Sequence, residues 1–397
     1  MSQLCPELTT KLDSLKQLKQ EFDLEFTKIK NLDSKKSDDL IFIRNIKSNL
    51  NQALQEFQKQ TTLIEWQKFY PYFPRELTTV ENKINYHEVK TLKGFNDQGF
   101  DDLVWALQAL PDGRIVLGSS NKIIKIWQPD KKGNYEKSQT LKGHTGSVLT
   151  LQVLPDGHIV SGSSDSTIKI WQPDSHGNYK NIKTLQGHTG LVNTLQALPD
   201  GLIVSGSDDD TIKIWQPDSE GNYQEPQTLE GHTGWVSTLQ ILPFGRIVSG
   251  SYDNTIMIWQ SDIQGNYQNV QILNGHDGFV LTLQILSDGR IVSGSLDNTI
   301  KIWQPDSQGD YKNTQTLEGH TGSVHTLQVL PDGRIVSGGD DNTIIIWQPD
   351  SQGKYQNIQT LKGHAQSVRA LQVLPDGRIF SGDGAGKIAI WDGDKVE

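Results

Sequence analysis

Histidine, serine and aspartate, the side chains of a proton-relay hydrolase, recur along this sequence at fixed spacing, each time followed by a tryptophan. His144, Ser161, Asp165 and Trp171 form one set. The order returns at His188, Ser205, Asp209 and Trp215, and at His232, Ser249, Asp253 and Trp259. It returns again at His276, Ser293, Asp297 and Trp303, and at His320, Ser337, Asp341 and Trp347. Triads are recognised by geometry and role, not by residue type. Five copies of one active site in one chain are implausible. The donor and acceptor inventory also fits a hydrogen-bond network, with Trp as donor, Asp as acceptor, and His and Ser able to bridge. Each such bond contributes about 1 kcal/mol net when every partner is present. These residues are therefore read as structural, and no catalytic residue is assigned.

Other chemistry is excluded in the same way. The run Gly382–Lys387 suggests a phosphate loop, but Ser381 and Ile388 stand where that loop needs Gly and Ser or Thr. Asp208, Asp209 and Asp210 suggest a cation site, but Asp209 belongs to the network and the run reads as a solvated turn. A single cysteine, Cys5, excludes a disulfide framework and a cysteine-based zinc site. Neither a metal nor a cofactor is expected.

The elements that carry these residues repeat. Ile-Trp returns at Trp127, Trp171, Trp215, Trp259, Trp303, Trp347 and Trp391, always 44 residues apart. Within one unit, period-2 alternation between turn clusters predicts four strands: 148–154, 159–163, 167–171 and 179–185. One four-stranded sheet cannot bury both faces, whereas neighbours stacked radially can.

The Gly-His…Ser…Asp…Ile-Trp pattern resembles the WD-repeat β-propeller family, over about residues 84–397 and seven times. Six units read Trp-Gln where the family has Trp-Asp; only Trp391-Asp392 matches. The resemblance implies an all-β fold: a seven-bladed propeller of four-stranded antiparallel blades that scaffolds protein–protein interactions. It also implies that His, Ser, Asp and Trp lock each blade. The phrase at 85–92 matches the outer strand of a complete unit, and the seventh unit lacks one after Trp391. Pairing the two closes the ring and removes two open sheet edges.

The end units depart from the network. Blade 1 has Phe95, Leu117 and Asn121 in place of His, Ser and Asp. Joint loss of the polar partners is expected to strand none of them. Blade 7 keeps His364 and Ser381 but has Ala385 at the Asp position, with Asp383 as the available substitute.

Residues 1–83 form a separate helical segment. All 37 glycines lie at or after Gly94, so turns are concentrated in the propeller. Leu8, Leu12, Leu15, Phe22, Phe26 and Ile29 mark one amphipathic helix; Ile43, Ile46, Leu50, Leu54, Phe57 and Ile64 mark another. The short connection makes them an α-helical hairpin. It packs on itself or the propeller, or forms a coiled coil with a helical partner or second copy through residues 8–64. An aromatic linker, 66–74, follows.

Charge and hydropathy narrow the function classes. The net charge of −10 falls wholly in the propeller and argues against nucleic acid. No apolar run reaches membrane-span length, and no signal peptide is read, so a cytoplasmic protein without membrane contact is expected. Near-identical repeats and a Lys/Asn/Ile-rich N-terminus also fit a bacterial protein acting in a eukaryotic host. The leading reading is a non-enzymatic scaffold whose propeller face binds a protein or peptide. The alternative is a targeting or substrate-receptor subunit of an enzyme complex.

Variation between repeats locates the expected partner site. Three positions per unit differ most, and the resemblance places all three on the face formed by the network turns. Leu191, Trp235, Tyr252, Phe279, Leu281 and Leu296 gather on blades 3 to 5, with Trp105 on blade 1 as an outlying member. Exposed large apolar clusters mark interaction surfaces, and aromatic residues dominate hot spots.

Overall fold

A computed structural model describes residues 84–93 and 103–395, except 111, 131–134, 155, 199–200, 219, 243–244, 263–264, 307 and 375–376. The expected helical hairpin, its coiled-coil stripe at 8–64, the aromatic linker at 66–74 and Phe95 lie outside the described residues.

The alternating segments form strands and the turn clusters join them. Blade 2 consists of Val148–Val153, Ile159–Ser163, Thr167–Pro173 and Tyr179–Gln186, close to the ranges read from periodicity. Each of seven such blades is a four-stranded antiparallel sheet. The turn after the first strand closes by a hydrogen bond from Gly157 N to the Leu154 carbonyl at 2.9 Å, with Gly157 at φ +86°, a conformation only glycine takes without strain. First strands surround the central axis, where Thr and Gln side chains line the channel wall.

The core lies between blades, not within them. The second strand, Ile-Val-Ser-Gly-Ser in blade 2, is buried at all five positions because a neighbouring blade covers each face. One hydrophobic cluster joins Val116, Ile124 and Ile126 of blade 1 to Leu151, Ile159 and Trp171 of blade 2. Another joins Phe380, Ile388 and Ile390 of blade 7 to Val104, Leu107 and Leu117 of blade 1, so apolar packing also crosses the seam. The second-strand glycine permits the approach. A Cβ on Gly162 would lie 2.7 Å from Val192 Cγ1 of the next blade, and one on Gly250 would lie 2.6 Å from Val280 Cγ1. Any side chain there would push two blades apart.

The seam is closed by the strand Ile84–Lys93. It pairs antiparallel with Lys387–Lys395, from Ile84 opposite Lys395 to Lys93 opposite Lys387. It thereby supplies blade 7 with its outer strand. Tyr86 ties this strand to blade 6: Tyr86 N donates to Gln359 Oε1 at 2.9 Å, and Gln359 Nε2 donates to the Tyr86 carbonyl at 2.8 Å. The same reciprocal clasp links Gln271 to Tyr311 and Gln315 to Tyr355 between ordinary neighbours. Blade 3 has a short outer strand, Gln227–Leu229, because Pro226 just before it has no N–H to offer a ladder.

This closure predicts unequal truncations. A chain starting at residue 84 should melt as one cooperative domain. A chain starting at residue 94 loses the outer strand of blade 7 and the Tyr86 clasp, and should melt lower and aggregate. Calorimetry with light scattering compares them; identical melting would remove the closing strand from the stability of the ring.

Candidate partner-binding face

Blade 4 shows how the network is built. Trp259 Nε1 donates to Ser249 Oγ at 2.8 Å, and His232 Nε2 lies 2.7 Å from the same oxygen. His232 Nδ1 lies 2.7 Å from Asp253 Oδ2. A carboxylate only accepts, so Nδ1 carries the proton, Nε2 accepts from Ser249, and Ser249 accepts from the indole. Asp253 also accepts from Thr233 N, Thr255 N and Thr255 Oγ1. Blades 2, 3, 5 and 6 repeat the relay through His144, His188, His276 and His320. Each histidine stands on the loop arriving from the preceding blade, so the relay also joins blades.

The Ser–His–Asp order matches a hydrolase relay, but the surroundings do not. Ser161, Ser205, Ser249, Ser293 and Ser337 are fully buried. Each hydroxyl oxygen is already occupied by an indole N–H. A carbonyl carbon has no approach to these oxygens. Burial would raise the Asp165, Asp209 and Asp253 carboxyls, but hydrogen bonds from Thr and His outweigh it and hold them well below the usual range. Burial lowers His144, His276 and His320, against the opposing pull of their aspartates.

Blade 7 completes the relay with a substitute. Asp383 Oδ2 lies 2.8 Å from His364 Nδ1, His364 Nε2 lies 2.6 Å from Ser381 Oγ, and Trp391 Nε1 donates to Ser381 at 2.7 Å. Asp383 is fully buried, whereas the aspartates it replaces stand in the turn. Blade 1 corrects an expectation. Losing His and Ser together does strand a partner: Trp127 Nε1 is buried without a hydrogen bond, because Leu117 stands where Ser would accept. The tryptophan stays because its ring fills space between blades, and packing outweighs one lost bond.

The network turns carry the variable positions. In every blade, the residue before the turn aspartate, or its replacement, donates its N–H to the carbonyl of the residue before the first strand's valine. Examples are Asp208 N to Leu191 O at 3.0 Å, Tyr252 N to Trp235 O at 2.9 Å and Leu296 N to Phe279 O at 2.9 Å. Between blades, a second contact joins residues 27 apart. Ser147 Oγ donates to the Ser120 carbonyl at 3.2 Å, and the Tyr252 and Phe279 rings stack with centroids 4.3 Å apart and planes 11° apart. The variable side chains thus form a ridge running from blade to blade.

On blades 4 and 5 the ridge is an aromatic stack. Trp235 and Tyr252 lie 5.0 Å apart, and Phe279 follows. Mutual packing half-buries Tyr252 and Phe279, but Trp235 stays 46% exposed. Leu191 on blade 3 and Leu296 on blade 5 hold the equivalent positions at either end, 38% and 43% exposed. Leu281 and Trp105 are not part of this ridge. They occupy the bulge where the first strand slips register, beside the channel mouth, and are half-buried. Trp105 lines that mouth with Leu149 and Arg369. At the same level, His325 Nε2 and Arg369 Nη2 both approach Asp340 Oδ1, at 2.9 and 3.3 Å.

The opposite end of the ring carries a clasp that sequence reading missed. Arg114 Nη1 donates to the Gly177 carbonyl of the next blade at 2.8 Å, and its guanidinium lies 5.5 Å from the Tyr179 ring centre. Tyr179 donates in turn to the Gly157 carbonyl at 2.9 Å. Arg246, Arg290 and Arg334 repeat the cation–π contact on Tyr311, Tyr355 and Tyr86. The Arg that follows the first turn's Gly and the Tyr of the outer strand were visible in the repeats, but their meeting 65 residues apart requires the ring. Among the described residues no cluster of His, Cys, Asp and Glu is arranged to hold a metal, and no helix is long and apolar enough to cross a membrane.

Comparison with known proteins agrees with this architecture. The family model described as WD domain, G-beta repeat, matches residues 87–128, 135–172, 179–216, 223–260, 267–304, 311–348 and 355–392. Each match takes an outer strand and then three strands of the following blade, so the first match begins in the closing strand. The crystal structure of the WD40 beta propeller domain of Doa1 is similar, with a TM-score of 0.64 and 26% identity, covering 78% of this chain and 98% of that one. The search of curated protein sequences found no match.

Two outcomes follow for the network. His232→Ala leaves Ser249 and Asp253 short of a partner and should cost about 1–3 kcal/mol in chemical denaturation. Acid should act in two stages. The lowered histidines stay neutral in the fold, while the unfolded chain takes up protons near their ordinary 6.5, so stability falls below that pH. The network carboxylates are held below their ordinary 3.8, so a second loss begins as the unfolded carboxyls protonate. A denaturation midpoint that stays constant from pH 7 to about pH 5 would contradict the first stage.

Proposed function

Because this chain belongs to the WD domain, G-beta repeat family, we propose that it is an interaction scaffold whose network-turn face, over blades 3 to 5, binds a protein or peptide partner. The observation that carries this reading is the Trp235–Tyr252–Phe279 stack. Equivalent positions elsewhere on the face are mostly small or polar, such as Ser147, Ser323 and Ser367. Blades 2, 6 and 7 form the same first strand with serine before it, so the fold does not call for three large rings. Hot spots are enriched in such aromatics, and a partner would cover Trp235, Leu191 and Leu296 where water now does. The excess of acidic residues supports a protein partner over nucleic acid. The amphipathic pattern over residues 8–64 supports a second role in assembly, with a helical partner or another copy.

Affinity capture with the full-length chain as bait tests the reading, with wild type, Trp235→Ala and Phe279→Ala compared by quantitative mass spectrometry. Truncating a hot-spot aromatic costs about 2 kcal/mol or more of binding. The specific partner should therefore be depleted from both variants while their melting temperatures match wild type. Equal recovery by all three baits would move the binding site off this face.

A further inference from the structure

The proposed face contains one charge set into its apolar ridge, and that charge specifies the occupant. In blade order the ridge runs Leu191 and Asp208 on blade 3, Trp235 and Tyr252 on blade 4, and Phe279 and Leu296 on blade 5. Asp208 joins Leu191 through its backbone N–H. It stands 27 residues before Trp235, the separation that brings Tyr252 against Phe279 and Ser147 against Ser120. By that spacing Asp208 neighbours Trp235 along the ridge, and the Tyr252 hydroxyl, raised by burial, also feels the Asp208 charge and, in the opposite sense, that of Arg369. Its Oδ1 accepts from Asn193 Nδ2 at 2.6 Å, which orients the carboxylate without neutralising it. Burial, and then the neighbouring Asp210 and Asp209, raise its pKa, and among the described residues no Lys, Arg or His forms an ion pair with it. Asp340, the equivalent residue on blade 6, has both His325 and Arg369 beside it. Asp277 and Glu230 add exposed carboxylates along the same arc of turns.

We propose, building on the docking reading above, that this ridge receives a partner segment in which a Lys or Arg is adjacent to a large apolar residue. The cation would lie against the open face of Trp235 and pair with Asp208, combining a cation–π contact with a charged hydrogen bond. The apolar neighbour would cover Phe279 and Leu296. An acidic segment would meet uncompensated carboxylate, and a purely apolar one would bury the Asp208 charge with only the Asn193 amide beside it.

The repeats themselves supply variants that fold. Serine occupies the Asp208 position in blades 1 and 2, and asparagine occupies the Asp210 position, at positive φ, in blades 4, 5 and 6. The full-length chain is used to select from a random peptide library displayed on phage, and enriched sequences are synthesised for fluorescence polarisation. The expected result is enrichment of Lys or Arg next to Leu, Phe or Trp. Affinity should fall about tenfold for Asp208→Ser with Asp210→Asn, and should weaken with added salt. Enriched peptides without a cation, bound equally by wild type and the double variant but lost with Trp235→Ser, would overturn the cation site and leave the docking face standing. Peptides indifferent to Trp235→Ser would overturn both.

Discussion

A serine hydroxyl at the centre of six of the seven blades holds this molecule together. Its oxygen receives the indole N–H of the third strand, and its proton goes to a histidine on the loop from the blade before. The histidine passes the order on to an aspartate in the next turn. One small group therefore fixes two strands, a turn and an incoming loop, and does so with every donor and acceptor used. Hydroxyl, imidazole and carboxylate are all needed, since removing one leaves the others desolvated. Blade 1 shows the alternative: an apolar site in which the tryptophan keeps its place but loses its acceptor.

Pinning the turns separates folding from recognition. Backbone bonds such as Tyr252 N to Trp235 O form whatever the side chains, so the ridge can change its chemistry without changing its shape. The other end of the ring behaves differently. There the Arg, Tyr and Gly residues join blades directly, and the same side chains recur. Variation gathers on one rim because the other rim is committed to holding neighbours.

Much of this was legible in the chain. The strands of blade 2 were placed to within two residues, since alternation and Pro-Asp-Gly turns are local signals. Asp383 could be picked as a substitute because it lies two residues from the vacant position. The stranded Trp127 N–H was also written there, since the chain keeps the donor while Leu117 replaces its acceptor, but the joint loss of His and Ser drew attention away from the third member. The Arg114–Tyr179 and Gln139–Tyr179 contacts were hidden. Their spacing has meaning only once blades lie side by side. Among the variable residues, alternation did not separate Leu281 and Trp105 from the ridge, because the bulge that turns them toward the channel shifts the register by one.

The seam has a mechanical consequence. Its two strands run antiparallel, with Ile84 and Lys395 facing each other at one end. A pulling force applied between these two residues acts across the ladder, so it loads the hydrogen bonds one after another instead of all together. The ring would open like a zipper from that end, at a force set by a single rung. The inter-blade contacts, which share load among many apolar side chains, would give way only afterwards. A ring packed along its whole circumference is, under tension at this one point, no stronger than its first pair of backbone bonds.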